Sequence, residues 1–176
     1  MDRPATMSAL AQLHADAVRI LPLGGLGEIG LNLMAVETRG TIVLIDCGLM
    51  FPEAYMLGID LVVPDIAALA GRTADIQALL LTHGHEDHIG AIPFLLEALG
   101  NPPIYGTALT LGLLRAKLEE HGLAGKARLE TVVPRQNIEL GPFEVEFFRV
   151  AHSIVDGCGL AIRTPGADRA HRRLQA

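Results

Sequence analysis

Cysteine is scarce in this chain: Cys47 and Cys158 are its only two. Two thiols make no disulfide framework, and their rarity suits a reducing, cytoplasmic setting. Both read as small buried hydrophobes rather than reactive groups. Also missing is any run of about 18 uncharged apolar residues, which argues against a membrane-spanning helix. The stretch from Met1 to Ala17 carries Asp2, Arg3 and Asp16 and has no continuous apolar core, so it does not read as a secretory signal. Positive charge is short as well: 14 Lys and Arg against 20 Asp and Glu give a formal net charge of −6. Such a chain has no general attraction to nucleic acid, and any RNA contact must be local. There is no internal repeat and no low-complexity segment.

What is present is apolar. Half of the 176 residues are hydrophobic and the mean hydropathy is +0.36. That length makes one domain with a sizeable core, and the hydropathy suggests a surface that something else normally covers.

The chemistry concentrates in Leu79-Leu80-Leu81-Thr82-His83-Gly84-His85-Glu86-Asp87-His88-Ile89-Gly90. A buried apolar run ends there in three of the chain's seven histidines. In a helix, His83 and His85 would point about 200° apart and could not share an ion. On an extended loop, residues two apart project the same way, so His83 and His85 can chelate together. Asp87 and His88 then face a second position. The pattern is not the helical H-E-x-x-H of metalloproteases, because the i, i+4 histidine pair is lacking. Imidazole with carboxylate suits zinc, or manganese as second choice. The plainer reading is a polar strand-to-helix loop with Asp87 as helix N-cap. That accounts for the aspartate and leaves the histidines unexplained.

Periodicity organises the rest. Val18 to Leu23 reads as a strand, Gly24 to Gly30 as a tight loop, and Leu31 to Thr38 and Thr41 to Ile45 as two further strands. Gly25-x-Gly27-x-x-Gly30 fits the dinucleotide fingerprint, with Asp46 near its acidic position, but a strand comes next where a helix must open, so no phosphate cradle is expected. Residues 50–63 read as irregular and Pro64 to Ala70 as a short helix. Ile76 to Leu81 forms the strand that delivers the histidines. One helix is expected over Ile89, Ile92, Leu95, Leu96 and Leu99, and a second over Leu109 to His121, with His121 at its C-terminal end rather than a ligand. Strands are expected at Pro102 to Tyr105, Leu129 to Val133, Phe143 to Val150 and Leu160 to Arg163. Asp46 closes a strand before Gly48, and His152 lies just past another.

His83-Gly84-His85-Glu86-Asp87-His88 at the end of an apolar strand resembles the H-x-H-x-D-H signature of the metallo-β-lactamase superfamily. Leu23-Gly24-Gly25-Leu26-Gly27-Glu28-Ile29-Gly30, Asp46-Cys47-Gly48-Leu49-Met50-Phe51-Pro52, Leu57-Gly58-Ile59-Asp60, Ala116-Lys117-Leu118-Glu119-Glu120-His121 and Ala151-His152-Ser153-Ile154 narrow the resemblance to the ribonuclease J family of the β-CASP branch. It runs from about Val18 to Pro165. It implies an α/β class fold, the α/β/β/α sandwich, and a zinc-dependent RNA phosphodiester hydrolase, 5′–3′ exonucleolytic, endonucleolytic or both, acting in rRNA processing and mRNA decay in the cytoplasm. It further implies that His83, His85 and His152 hold a first zinc, that Asp87 and His88 hold a second, and that Asp46 braces the metal loop.

The same resemblance implies a bridging aspartate about twenty residues after His152, then a β-CASP domain and a further histidine ligand. Residues 167–176 do not carry them: Asp168 comes too early and His171 matches no ligand position. The expected layout is a flexible leader over 1–16, an incomplete metallo-β-lactamase-like domain over 17–166 and an atypical basic tail over 167–176. The second zinc position is then incomplete and activity impaired. The expected partners are an RNA substrate and either a second copy of this chain or the missing C-terminal half. Two other readings stay open: a non-catalytic fragment or partner-dependent half-domain, and a thioesterase-type hydrolase of small molecules.

Overall fold

A computed structural model describes residues 16–165. Residues 1–15 of the expected leader and the expected tail, 167–176, lie outside these. The chain builds two sheets. The first takes the order β1 (Val18–Gly24), β2 (Leu33–Thr38), β3 (Thr41–Ile45), β4 (Ile76–Leu80), β5 (Ile104–Gly106) and β6 (Leu129–Thr131). Its first three strands form an antiparallel meander, and β3 to β6 run parallel. The second sheet is an antiparallel meander of β7 (Asn137–Leu140), β8 (Phe143–Arg149) and β9 (Cys158–Arg163).

Strand alternation sets the layers. On β3 and β4, Leu44, Leu79 and nearby Leu81 face the helices, while Val43, Ala78 and Leu80 face the second sheet. A parallel strand covered on both sides is expected to be apolar throughout, and β4 is so apart from the exposed Gln77. On β8, Phe143, Val145 and Phe147 point into the space between the sheets and are at most 1% exposed. Helix α3 (Ala108–Glu120) covers the other face with Leu111, Leu114 and Leu118 buried. Thr107 caps its start by accepting from the Thr110 N–H. Its end falls at His121, followed by Gly122 in the left-handed region, a usual helix stop. Three layers, α/β/β, are thus in place among the described residues. The outer face of the second sheet is uncovered there, and Phe148 is 41% exposed on it.

Several local expectations need correction. The single helix over 89–99 is two turns, α1 (Glu86–Ile89) and α2 (Ile92–Leu95). Ala91 keeps a right-handed helical backbone, but its N–H donates to the Cys47 carbonyl at 3.0 Å instead of along the helix, and Pro93 has no N–H to give. Asp87 is not the N-cap: His85 holds that position, without a side-chain cap bond. Pro64 to Ala70 yields only a 3-10 turn at Ala67–Leu69. Strand β7 was not anticipated, and β9 starts at Cys158 rather than Leu160. No helix opens at Gly25 to Gly30, and the chain passes from that loop into β2, in keeping with the alternation of residues 31–38. Among the described residues no helix is long and apolar enough to cross a membrane.

Candidate metal centre

The site sits where the parallel strands end. β3 runs into Asp46 and β4 into Thr82 and the histidine loop, side by side. Asp46 adopts a left-handed φ of 56° and is 5% exposed. That turn aims its carboxylate across to the neighbouring strand end. Its Oδ1 accepts from the Thr82 N–H at 2.8 Å, and its Oδ2 accepts from the Thr82 hydroxyl at 2.8 Å. Oδ2 also lies 2.8 Å from Nδ1 of His88.

These contacts fix tautomers. A carboxylate only accepts, so the Thr82 hydroxyl hydrogen goes to Asp46 and Nδ1 of His88 carries its own hydrogen. The Thr82 oxygen, 3.0 Å from Nδ1 of His83, then accepts from that nitrogen. Nε2 of His83 is left with a free lone pair. It lies 3.0 Å from Nδ1 of His85 and 3.0 Å from Nε2 of His152. One donor nitrogen from each of the three rings falls within 4.8 Å of the others.

Three imidazole nitrogens converging on one point suit a borderline cation better than they suit one another. Burial, followed by the nearby His88, His152 and His85 rings, pushes the pKa of His83 down to about 4, so it is neutral and ready to bind. Burial works against the charge on His88, but the Asp46 hydrogen bond and the Asp46 and Asp87 charges outweigh it and raise its pKa. His83 is buried, His85 half-buried and His152 exposed. The cluster therefore opens to solvent on the His152 side.

The structure brings together the expected residues His83, His85 and His152. Asp87 and His88 stand beside them, with Asp87 Oδ2 3.4 Å from His88 Nε2. Among the described residues, His83, His85 and His152 are the only group of three converging metal-ligating side chains. Asp168 and His171 lie outside the described residues. His121 is the C-cap of α3 and rests on Phe94, with ring centres 5.1 Å apart. Cys47 is fully buried, and burial pushes its thiol up to about 12, so it stays protonated.

Two residues that shape the site escaped the reading of roles from sequence. Thr82 relays Asp46 to His83, and its position between strand and first histidine was the available signal. Asn32 donates to Asp87 from across the fold, and nothing in its neighbourhood marks it. The glycines serve close approach. A Cβ on Gly48 would come within 1.6 Å of the Asp87 carbonyl oxygen, and one on Gly84 within 2.5 Å of a Leu113 methyl on α3.

The sequence profile of the metallo-beta-lactamase superfamily matches residues 27–169. Ribonuclease J of Thermus thermophilus is 49% identical over 156 residues, covering 85% of this chain and 27% of that protein. Ribonuclease J of Synechocystis is 48% identical, covering 86% of this chain and 24% of that protein. Ribonuclease J2 of Bacillus subtilis is 45% identical, covering 86% and 27%. The chain thus spans about a quarter of the length of these relatives. Among solved structures, a protein of unknown function from Enterococcus faecalis superposes with a TM-score of 0.64 at 21% identity, covering 83% of this chain and 40% of that one. The metallo-beta-lactamase fold protein YhfI from Bacillus subtilis gives 0.58 at 19%, covering 84% and 59%. At such identities these two speak for the fold alone.

Proposed function

This chain belongs to the metallo-β-lactamase superfamily, and we propose that it carries the metal-binding part of a zinc-dependent ribonuclease that hydrolyses RNA phosphodiester bonds in the cytoplasm. The observation that carries this reading is the convergence of His83, His85 and His152 within 4.8 Å. The identity to ribonuclease J proteins over most of the chain supports RNA as substrate.

His83, His85 and His152 would hold the zinc through Nε2, Nδ1 and Nε2. When bound, zinc supplies Lewis-acid polarisation of a phosphodiester oxygen and lowers the pKa of water. The chain's own residues do the rest. Asp46 and Thr82 hold His83 in the tautomer that presents its lone pair, which is the usual support for a metal-binding imidazole. His152, alone of the three in being exposed, borders the side from which substrate enters. Asp87 and His88 offer one carboxylate oxygen and one imidazole nitrogen to a weaker second position.

The test is zinc per folded chain by mass spectrometry after purification without chelator, followed by hydrolysis of end-labelled RNA. About one equivalent, lost in His83→Ala and accompanied by RNA cleavage that chelator abolishes, is expected. Turnover of thioesters but not RNA would move the reading to a small-molecule hydrolase. No zinc on a folded chain would remove the hydrolase reading altogether.

A further inference from the structure

The amide of Asn32 has no part in the three-histidine centre, yet it is heavily engaged beside it. Its nitrogen donates to the Asp87 carbonyl at 2.9 Å and lies 3.3 Å from both Asp87 Oδ2 and His88 Nε2. The backbone of Asn32 grips the same loop. Its N–H donates to the Asp87 carbonyl at 3.2 Å, and its own carbonyl accepts from the Gly48 N–H at 2.9 Å. Both Asp87 atoms are acceptors, so the amide NH2 faces them and not the amide oxygen. The oxygen faces Gly25, where a Cβ would come within 2.6 Å of it. The preceding residue, Leu31, is held at a φ of 56°, a conformation a leucine adopts only against a steric cost.

Asp46 already engages Nδ1 of His88, so in the neutral ring Nε2 is the nitrogen with the free lone pair. Nε2 and Asp87 Oδ2 are the two atoms that would face a second cation, and the one Asn32 hydrogen not taken by the Asp87 carbonyl is shared between them. The Asp87 side chain is 39% exposed and would otherwise swing through solvent rotamers. We propose that Asn32 is a positioning residue for a second, weaker metal position at Asp87 and His88, holding the two ligands in place while no cation joins them. This rests on the three-histidine cluster being the primary metal centre. The Asn32 side chain bonds to Asp87 and His88 and not to that cluster, so its removal is expected to act first on the second position.

The experiment is a cobalt(II) titration of the chelator-stripped, dialysed chain, followed by visible absorption and calorimetry. The wild-type chain is expected to show one tight and one weak class of site. In Asn32→Ala and in Asn32→Leu, which keeps the volume and loses the donor, the weak class should weaken by at least about tenfold, as for other residues that orient ligands. The tight class should stay within about twofold, which also reports an intact fold. An unchanged weak class, or both classes weakening together, would overturn the proposal. A wild-type chain with a single class up to millimolar cobalt would overturn it too, while leaving the three-histidine centre standing. No binding at all would sink both.

Discussion

Gly48 and the carbonyl of Asp87 lie so close that a single added methyl at residue 48 would overlap the oxygen at 1.6 Å. The neighbouring Cys47 N–H donates to the His88 carbonyl at 2.7 Å, so the two segments are clamped together at that point. The obstacle is backbone, which cannot rotate away as a side chain could. Gly48→Ala is expected to force the metal loop outward at a cost of about 1–3 kcal/mol or more. Thermal unfolding together with zinc stoichiometry checks this, and a variant with wild-type melting temperature and wild-type zinc would contradict it.

Asp46 acts on His83 through Thr82 and on His88 directly. Asp46→Asn keeps the shape but cannot accept at every one of these contacts. Zinc affinity, measured by competition with a chromophoric chelator, is expected to fall by about 10–100-fold. Thr82→Val, which removes the hydroxyl relay to His83 and leaves the Asp46 contact to His88 in place, should show a smaller loss of the same kind.

Acid should weaken the metal-free chain through His83. Its pKa is about 4 when folded against an ordinary 6.5, so between those values the unfolded chain holds more protons. Stability then falls as pH drops from about 6.5 to about 4. His88 has the opposite sign. Its raised value adds stability that is complete below the ordinary histidine pKa and is lost as pH rises through the folded one. Melting temperatures of the chelator-treated chain across pH 4–8 should show the acid limb flatten in His83→Asn and the alkaline limb flatten in His88→Asn.

Phe147 is fully buried between the sheets. Phe147→Ala is expected to cost about 3–5 kcal/mol. Because β8 also leads to His152, zinc affinity should drop in the same variant. Denaturant unfolding with and without zinc separates the two effects. Unchanged zinc affinity in a destabilised Phe147→Ala would show that the position of His152 does not depend on this packing.

Much of the site was legible in the sequence because its ligands are close together in the chain. Three histidines after an apolar strand announce themselves, and His152 was placed by the strand that precedes it and by family resemblance. The strands were legible through alternation, as in Phe143, Val145 and Phe147. What was not legible depends on partners far along the chain. The helix over 89–99 breaks because the Ala91 N–H is claimed by Cys47, which no local propensity encodes. Strand β7 offers only four residues, Asn137–Leu140, too few to assert a period. Asn32 reads as an ordinary strand-edge asparagine until Asp87 is brought against it.

His83 and His85 follow the first sheet and His152 follows the second, while Cys158 at the start of β9 donates its N–H to the Thr82 carbonyl at 2.9 Å. The three nitrogens are therefore neighbours only while the two sheets are docked. A cation bound there would act as a rivet through the sandwich, drawing mechanical strength from the layers it joins. Prising the sheets apart would carry His152 away from His83 and His85, so metal retention is expected to report whether the sandwich is shut.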